Sequence, residues 1–372
     1  MYLRLLLITF IFSLILSWSF ILFIVFSLNS SEKYSESVRP ESSESSSVSH
    51  YINSTNWDFG SFLINNSNKC KNDAKSVKLL VLIHSSVTHF EFRQLIRKYN
   101  KIKNSINIFL IGLLDDPGLQ RLIEQESNQF GDIVQGSFQD SYHNLTLKHI
   151  MGLTWSLKYC SSAQMVLKMD DDVFVNYRLL DQLLKWRYPE YKSDPLVSRT
   201  NHKLIAGYIQ HKMKVIRNTT SRWYVSKSTY QHSIYPDFLS GWAYITTVEV
   251  ISDLLDQIAS HPLFWIDDVY ITGILRQSLP DIELESLNKF FNVDVSHLYH
   301  WVSDRSFHNY KWRYVFSNAN GDLNLLSTAL SINDMNEEKI CCYPTANDLL
   351  KERNSIEFKP KSIKGSVKQM SL

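Results

Sequence analysis

The run Val77–His84 (VKLLVLIH) is apolar at almost every position instead of alternating, the mark of a strand covered on both faces. Two further runs of this kind follow, Ile106–Gly112 (INIFLIG) and Gln164–Met169 (QMVLKM). Segments of helical pattern lie around them: Phe90–Lys98, Gly118–Gln129 and Leu145–Tyr159. Strands interleaved with helices of this length need crossover connections, so the expected fold is α/β with a mostly parallel sheet. Asn176 is placed to cap one more helix, Tyr177–Trp186. Such sheets bind ligands outside the carboxyl ends of their strands. The third run ends directly on Asp170-Asp171-Asp172.

Three successive carboxylates repel one another and call for a cation. Alternation along an extended chain puts Asp170 and Asp172 on one side and Asp171 on the other. Hard oxygen ligands of this type suit Mn²⁺ or Mg²⁺ bridging a diphosphate, where the metal neutralises charge on a departing nucleotide. A solvated acidic turn is the plain alternative. The strand before the triplet and Val173-Phe174-Val175-Asn176 after it argue against that.

The N-terminus constrains location. Leu5–Leu28 is apolar apart from small hydroxyls and holds no charge. As a helix it spans roughly 36 Å, enough to cross a bilayer. It is too long for the core of a cleaved signal peptide, and no small-residue cleavage site follows it. Residues 29–50, where ten of 22 are serine, cannot bury apolar surface and read as a solvated stem. Basic residues flanking the span hardly fix its orientation. The sequons at Asn53, Asn65, Asn144 and Asn218 all follow it and favour a lumenal body. The expected layout is a short cytoplasmic tail (1–4), a single membrane anchor (5–28), a Ser-rich stem (29–75), a catalytic domain (76–330) and a C-terminal extension (331–372). A formal charge of +2 without basic runs gives no footing for nucleic acid. The four cysteines are too few for a disulfide scaffold and lack the paired spacing of a zinc site.

Six segments then occur in a recognisable order. They are His89-Phe90-Glu91-Phe92-Arg93-Gln94-Leu95-Ile96-Arg97; Phe109-Leu110-Ile111-Gly112; Glu126 with Phe130-Gly131-Asp132-Ile133 and Asp140 to Lys148; Lys168 to Asn176; Tyr235-Pro236 with Ser240-Gly241 and Tyr244; and Asp267-Asp268-Val269-Tyr270. Together, over about half of the chain, they resemble the β-1,3-galactosyltransferase family of inverting hexosyltransferases. The resemblance implies a GT-A fold, a UDP-sugar donor (UDP-galactose above all), Mn²⁺, and an acceptor glycan on a glycoprotein or glycolipid. It implies a type II protein of the Golgi membrane, held there through residues 5–28, that forms a β-1,3 linkage.

Site residues follow motif by motif. Inversion is one displacement with one general base and no covalent intermediate. The resemblance gives that role to Asp268, with Asp267 beside it in the catalytic element. From the residues alone, an acid before the periodic run Val269–Leu275 is a helix N-cap. Asp170 and Asp172 become metal ligands, and Asp171, Lys168 and Gly241 donor-site residues. Arg93 and Arg97 share one helix face and could either fork onto phosphate or hold a core carboxylate. Trp223, Tyr224 and Tyr235 could present flat faces to a sugar, although buried aromatics are ordinarily core. Related enzymes use a late histidine on the metal; His297, His300 and His308 are candidates, and spacing favours His308.

Departures from the pattern bear on the acceptor. Tyr99-Asn100 stands where the family has threonine-tryptophan, Asp267 where it has glutamate, and Leu239 where it often has cysteine. No match extends beyond about Gly273. Transfer of N-acetylglucosamine or N-acetylgalactosamine is the near alternative, since sugar identity rests on a few contacts. A catalytically silent glycan-binding membrane protein would have lost a carboxylate, and none is lost. A metal phosphoesterase would need further His/Asp clusters.

Overall fold

The computed structural model of the chain describes residues 61–72, 77–188, 203–304 and 312–338. The anchor at 5–28, most of the stem, the sequon at Asn53, His308, Cys341 and Cys342 lie outside the described residues. Among the described residues no helix is long and apolar enough to cross a membrane.

Along the chain the elements are β1 (Phe62–Asn65), α1 (Lys69–Asn72), β2 (Leu79–His84), α2 (Phe90–Tyr99), β3 (Ser105–Leu113), α3 (Pro117–Phe130) and β4 (Ile133–Gln139). Then come α4 (Leu145–Tyr159), β5 (Met165–Asp170), β6 (Val173–Val175), α5 (Tyr177–Arg187), β7 (Ile205–Gln210), β8 (Phe238–Thr246) and α6 (Val248–Gln257). The π-helical α7 (Val269–Leu275), β9 (Leu284–Ser286), β10 (Phe291–Asn292), α8 (Val295–Ser303), β11 (Phe316–Asn318) and α9 (Leu323–Glu338) follow. Every strand and helix expected from the sequence between residues 77 and 186 is present, with ends shifted by at most two residues.

The main sheet has the order β1-β4-β3-β2-β5-β8-β7-β9. Its centre, β4-β3-β2-β5, is parallel. All six residues of β2 are buried, which explains its unbroken apolar run. Leu79, Val81 and Ile83 join one core with Phe92 and Ile96 of α2 and Leu180 and Leu184 of α5. Leu80 and Leu82 join a second core with Ile150 and Leu153 of α4 and Ile251 and Leu254 of α6. The sheet is therefore mostly parallel at its heart with helices on both faces. Antiparallel β8 and β7 extend it beyond β5.

The helices start and stop on local signals. Asp116 caps α3 by accepting from the N–H groups of Gly118 and Leu119 at 2.7 and 3.1 Å, with Pro117 as the first helical residue. Gly131 ends α3 at φ 61°, a conformation that costs other residues. Asn176 caps α5, as its position in sequence predicts, by accepting from the Leu179 N–H at 3.1 Å.

Both expected ends of the domain move outward. β1 falls within the segment 29–75 read as stem, yet it pairs antiparallel with β4, and Cys70 forms a disulfide with Cys160 at the end of α4. A four-residue strand that runs into Asn65-Asn66 gives no periodic signal, so only the pairing reveals it. At the other end α9 runs past residue 330 and buries Leu330 and Ile332. The disulfide joins cysteines 90 residues apart. Chain-entropy reasoning assigns a loop of that size roughly 4.6 kcal/mol. The Cys70→Ser/Cys160→Ser double variant should lose about 2–5 kcal/mol in denaturant unfolding; an unchanged midpoint would show that the bridge contributes nothing.

Candidate active site

The aspartate triplet sits where β5 ends and a tight turn leads into β6. Asp170 and Asp171 point to opposite sides. Asp170 points to the α4 side, where it meets Lys168 of the same strand, two residues earlier. Asp171 turns inward on the α2 side and is 4% exposed. It accepts from Ser85 Oγ at 2.6 Å and lies 3.0 Å from His89 Nδ1. Expected as a donor-site residue, Asp171 instead ties the turn to the loop after β2.

Lys168 is the centre of the charge arrangement. Its ammonium is buried and donates to Asp170 Oδ1 at 2.8 Å and to the Gly241 carbonyl at 2.5 Å, with Asp267 Oδ2 at 3.8 Å. The expected donor contact is thus an internal counter-charge. On β8, the Gly241 N–H donates to Asp268 Oδ2 at 3.0 Å. Asp268 Oδ1 accepts from the Val269 N–H at 2.8 Å, so the residue is also the N-cap of α7. A Cβ on Gly241 would lie 3.3 Å from both Cβ and Oδ2 of Asp268. The glycine therefore permits close approach of β8 to this carboxylate. Asp268 and the triplet are linked through Lys168 and the two backbone groups of Gly241.

Too little positive charge serves these carboxylates. Burial raises Asp170 to about 7, with Asp172 adding to the rise and Lys168 opposing it. Burial and the charge of Asp171 raise Asp172 to about 6. Burial, then the neighbouring Asp267 charge, likewise pushes Asp268 above the ordinary carboxylate range. Two crowded oxygen donors at a strand end, both short of counter-charge, fit a hard divalent cation. His308 lies outside the described residues. His297 and His300 sit on α8; His297 Nδ1 is 3.2 Å from Asn292 Oδ1.

Arg93 and Arg97 are structural. Arg93 is 1% exposed. It donates through Nε and Nη2 to both oxygens of Glu126, at 2.8 and 2.6 Å, and through Nη1 to Ser85 Oγ and the Ser86 carbonyl. Arg97 forks onto Asp132 at 2.8 Å twice, reaches Glu126 at 2.7 Å and stacks 4.0 Å over Phe130. Of the two roles open to these arginines, holding a core carboxylate is the one the contacts support. Ser85 is where the network meets the triplet: it receives Arg93, donates to Asp171, and its carbonyl accepts from Lys148 Nζ at 2.7 Å.

Two participants, His84 and His149, carry no motif signal. His84, the last residue of β2, pairs in register with Asp170 and is 5% exposed. His149 on α4 lies 2.9 Å from Asp267 Oδ2 through Nδ1 and 2.7 Å from Tyr244 Oη through Nε2. Asp267, expected beside the base, is turned away from Asp268 into this buried pocket. His84, His149 and Asp267 could together offer three metal ligands, but Lys168 already stands 3.8 Å from the shared carboxylate oxygen. A polar residue at the very end of an apolar strand was the one sequence hint of His84. Near Asp268, Tyr142 receives the Trp223 indole N–H at 2.6 Å and carries Arg222 4.2 Å over its ring. Tyr235 is core, packed on Tyr230 and Phe264, whereas Tyr224 is 38% exposed.

A family model described as Galactosyltransferase matches residues 93–287. Beta-1,3-galactosyltransferase 1 of Mus musculus is 38% identical over 225 residues, covering 58% of this chain and 64% of that protein. Beta-1,3-galactosyltransferase 5 of Homo sapiens is 32% identical over 216 residues, covering 56% of this chain and 66% of that protein. The match thus spans a little under two thirds of these relatives. Among solved structures, a galactosyltransferase in complex with donor and acceptor sugar analogues covers 69% of this chain and 95% of its own, at 10% identity and a TM-score of 0.33, a likeness too slight to carry an argument.

Proposed function

The chain belongs to the galactosyltransferase family, and from that premise we propose that it moves a hexose, galactose first among them, from a UDP-sugar to an acceptor glycan hydroxyl in β-1,3 linkage, with inversion. The observation that carries the reading is Asp268, a carboxylate with a raised proton affinity held at both oxygens by backbone N–H groups and joined through Lys168 to the aspartate turn.

In this reading Asp268 accepts the proton of the acceptor hydroxyl as its oxygen bonds to the anomeric carbon. The bond from that carbon to the diphosphate oxygen breaks, and UDP leaves with the electron pair. Asp170 and Asp172 would hold a divalent cation, Mn²⁺ first, which when bound would supply charge neutralisation for the diphosphate. Lys168 keeps Asp170 in place and adds positive charge beneath the turn. The protein would be assayed for UDP release and sugar transfer over a panel of UDP-sugars, with and without Mn²⁺. Turnover unaffected by chelation would remove the role given to Asp170 and Asp172.

A lumenal body of a type II Golgi membrane protein, anchored through residues 5–28, completes the proposal. The Cys70–Cys160 disulfide suits an oxidising compartment. Asn218 is exposed in a turn, its Oδ1 accepting from the Thr220 N–H at 3.1 Å and the Thr220 hydroxyl at 3.0 Å, which leaves its amide nitrogen facing outward. Asn65 instead uses both ends of its amide, toward Tyr159 and Trp155. Asn218 is therefore expected to carry an N-linked glycan and Asn65 none. Glycopeptide mass spectrometry checks this, and a protein from secretory-pathway expression with no glycan at any sequon would defeat the lumenal reading.

A further inference from the structure

The buried histidine of α4 is joined to both halves of the site, yet no motif assigns it a task. His149 is 1% exposed, and both ring nitrogens are engaged. Asp267 has no proton to give at Nδ1, so that nitrogen carries the hydrogen and donates to Oδ2. Nε2 then accepts the Tyr244 hydroxyl proton, and one tautomer satisfies the whole chain. Burial holds the ring below its ordinary pKa despite the Asp267 contact, which keeps it neutral. Tyr244 is 1% exposed and pushed upward by burial, so it keeps its proton.

We infer that His149 is a positioning residue, which fixes Asp267 from behind and thereby sets where the adjoining Asp268 carboxylate stands. The inference rests on the reading of Asp268 as base. Two independent contacts support it. One helical turn before His149, Thr146 Oγ1 donates to the Phe264 carbonyl at 2.7 Å, so α4 grips the segment leading into Asp268 at two points. On β8, Gly241 holds Asp268 at 3.0 Å while Tyr244, three residues on, orients His149. The same strand thus sets both carboxylates of the pair. Asp267 is one methylene shorter than the glutamate of the related motif, and the imidazole supplies the missing reach. Lys168, at 3.8 Å from Asp267 Oδ2, and His84, with its ring 5.1 Å from that of His149, complete the surroundings. The ammonium gives Asp267 its counter-charge and leaves the donor bond to fix its direction.

The test compares His149→Asn, whose amide nitrogen falls where Nδ1 stands, with His149→Gln, whose amide reaches Nε2 and leaves Asp267 without its donor. On the full-length, detergent-solubilised protein, His149→Gln should lower kcat by about 100-fold, with KM for donor, UDP affinity and melting temperature close to wild type. His149→Asn should recover most of the rate. A His149→Gln enzyme with wild-type kcat overturns the inference, and so does an Asn variant as slow as the Gln variant. Equal loss of melting temperature and UDP binding in both variants would make the residue a packing element and overturn it too. Stoichiometric zinc in the wild type, lost in both variants, would replace positioning by metal binding. A wild type that releases no UDP from any donor removes the base and with it the inference, whereas an active wild type with an indifferent His149 removes the inference alone.

Discussion

Asp268→Asn is expected to lower kcat for transfer by about 10²–10⁴-fold, the range over which a positioned general base acts. Donor affinity should stay near wild type, because the amide keeps the shape of the carboxylate and the diphosphate is held elsewhere. The pH profile of the wild type carries the same information. An ordinary aspartate would be ionised down to about pH 4. Burial and the charge of Asp267 raise Asp268, so its base form is lost at higher pH, and kcat/KM should fall while the pH is still well above 4. Asp170, at about 7, and Asp172, at about 6, bind protons over the same span, so metal affinity should fall as the pH is lowered. Saturating Mn²⁺ separates the two effects, since it restores the metal-linked part and leaves the base-linked part. Full turnover by Asp268→Asn, or a flat profile down to pH 4, would remove Asp268 as base.

Arg93→Ala carries the largest expected cost in stability. It would leave Glu126, 4% exposed, without its bidentate partner. Breaking a buried ion pair from one side costs about 3–5 kcal/mol, and Ser85 and two carbonyls lose a donor as well. Burial alone would raise Glu126, yet the hydrogen bonds and charges of Arg93 and Arg97 hold it below its usual pKa. A depressed carboxylate contributes stability that is present above its unfolded pKa and is lost as the pH falls through the folded one. The wild type should accordingly lose this increment in acid, and Arg93→Ala should lack it at neutral pH. Removing both charges as Arg93→Met/Glu126→Met should recover part of the loss. A variant that melts like wild type but binds UDP more weakly would return Arg93 to the donor site.

The parallel half of the sheet was legible because burial on both faces writes itself into β2, β3 and β5 as continuous apolar runs. The triplet stood out as a candidate site for the complementary reason, three charges directly after such a run. The antiparallel partners β7 and β8 carry glycines at Gly207 and Gly241 and irregular register, so no period announces them. Arg93 and Arg97 could be placed on one face of α2, but their carboxylates lie 29 to 35 residues away, on α3 and just before β4. Only the packing of those elements decides between phosphate and carboxylate. His84 and His149 were missed because a histidine in an apolar segment has no meaning until register aligns it; β2 against β5 sets His84 beside Asp170, and α4 against the segment leading into α7 sets His149 on Asp267.

The Cys70–Cys160 bridge also bears on the order in which the protein is made. Its two cysteines enclose β2, β3, β4 and α4, and β5 with the aspartate turn begins shortly afterwards. In a chain delivered N-terminus first, this covalent loop is able to close while β7, β8 and Asp268 are still unsynthesised. The strands that lead to the aspartate turn can then be cross-linked before Asp268 has been translated, and α7 docks onto a scaffold already closed.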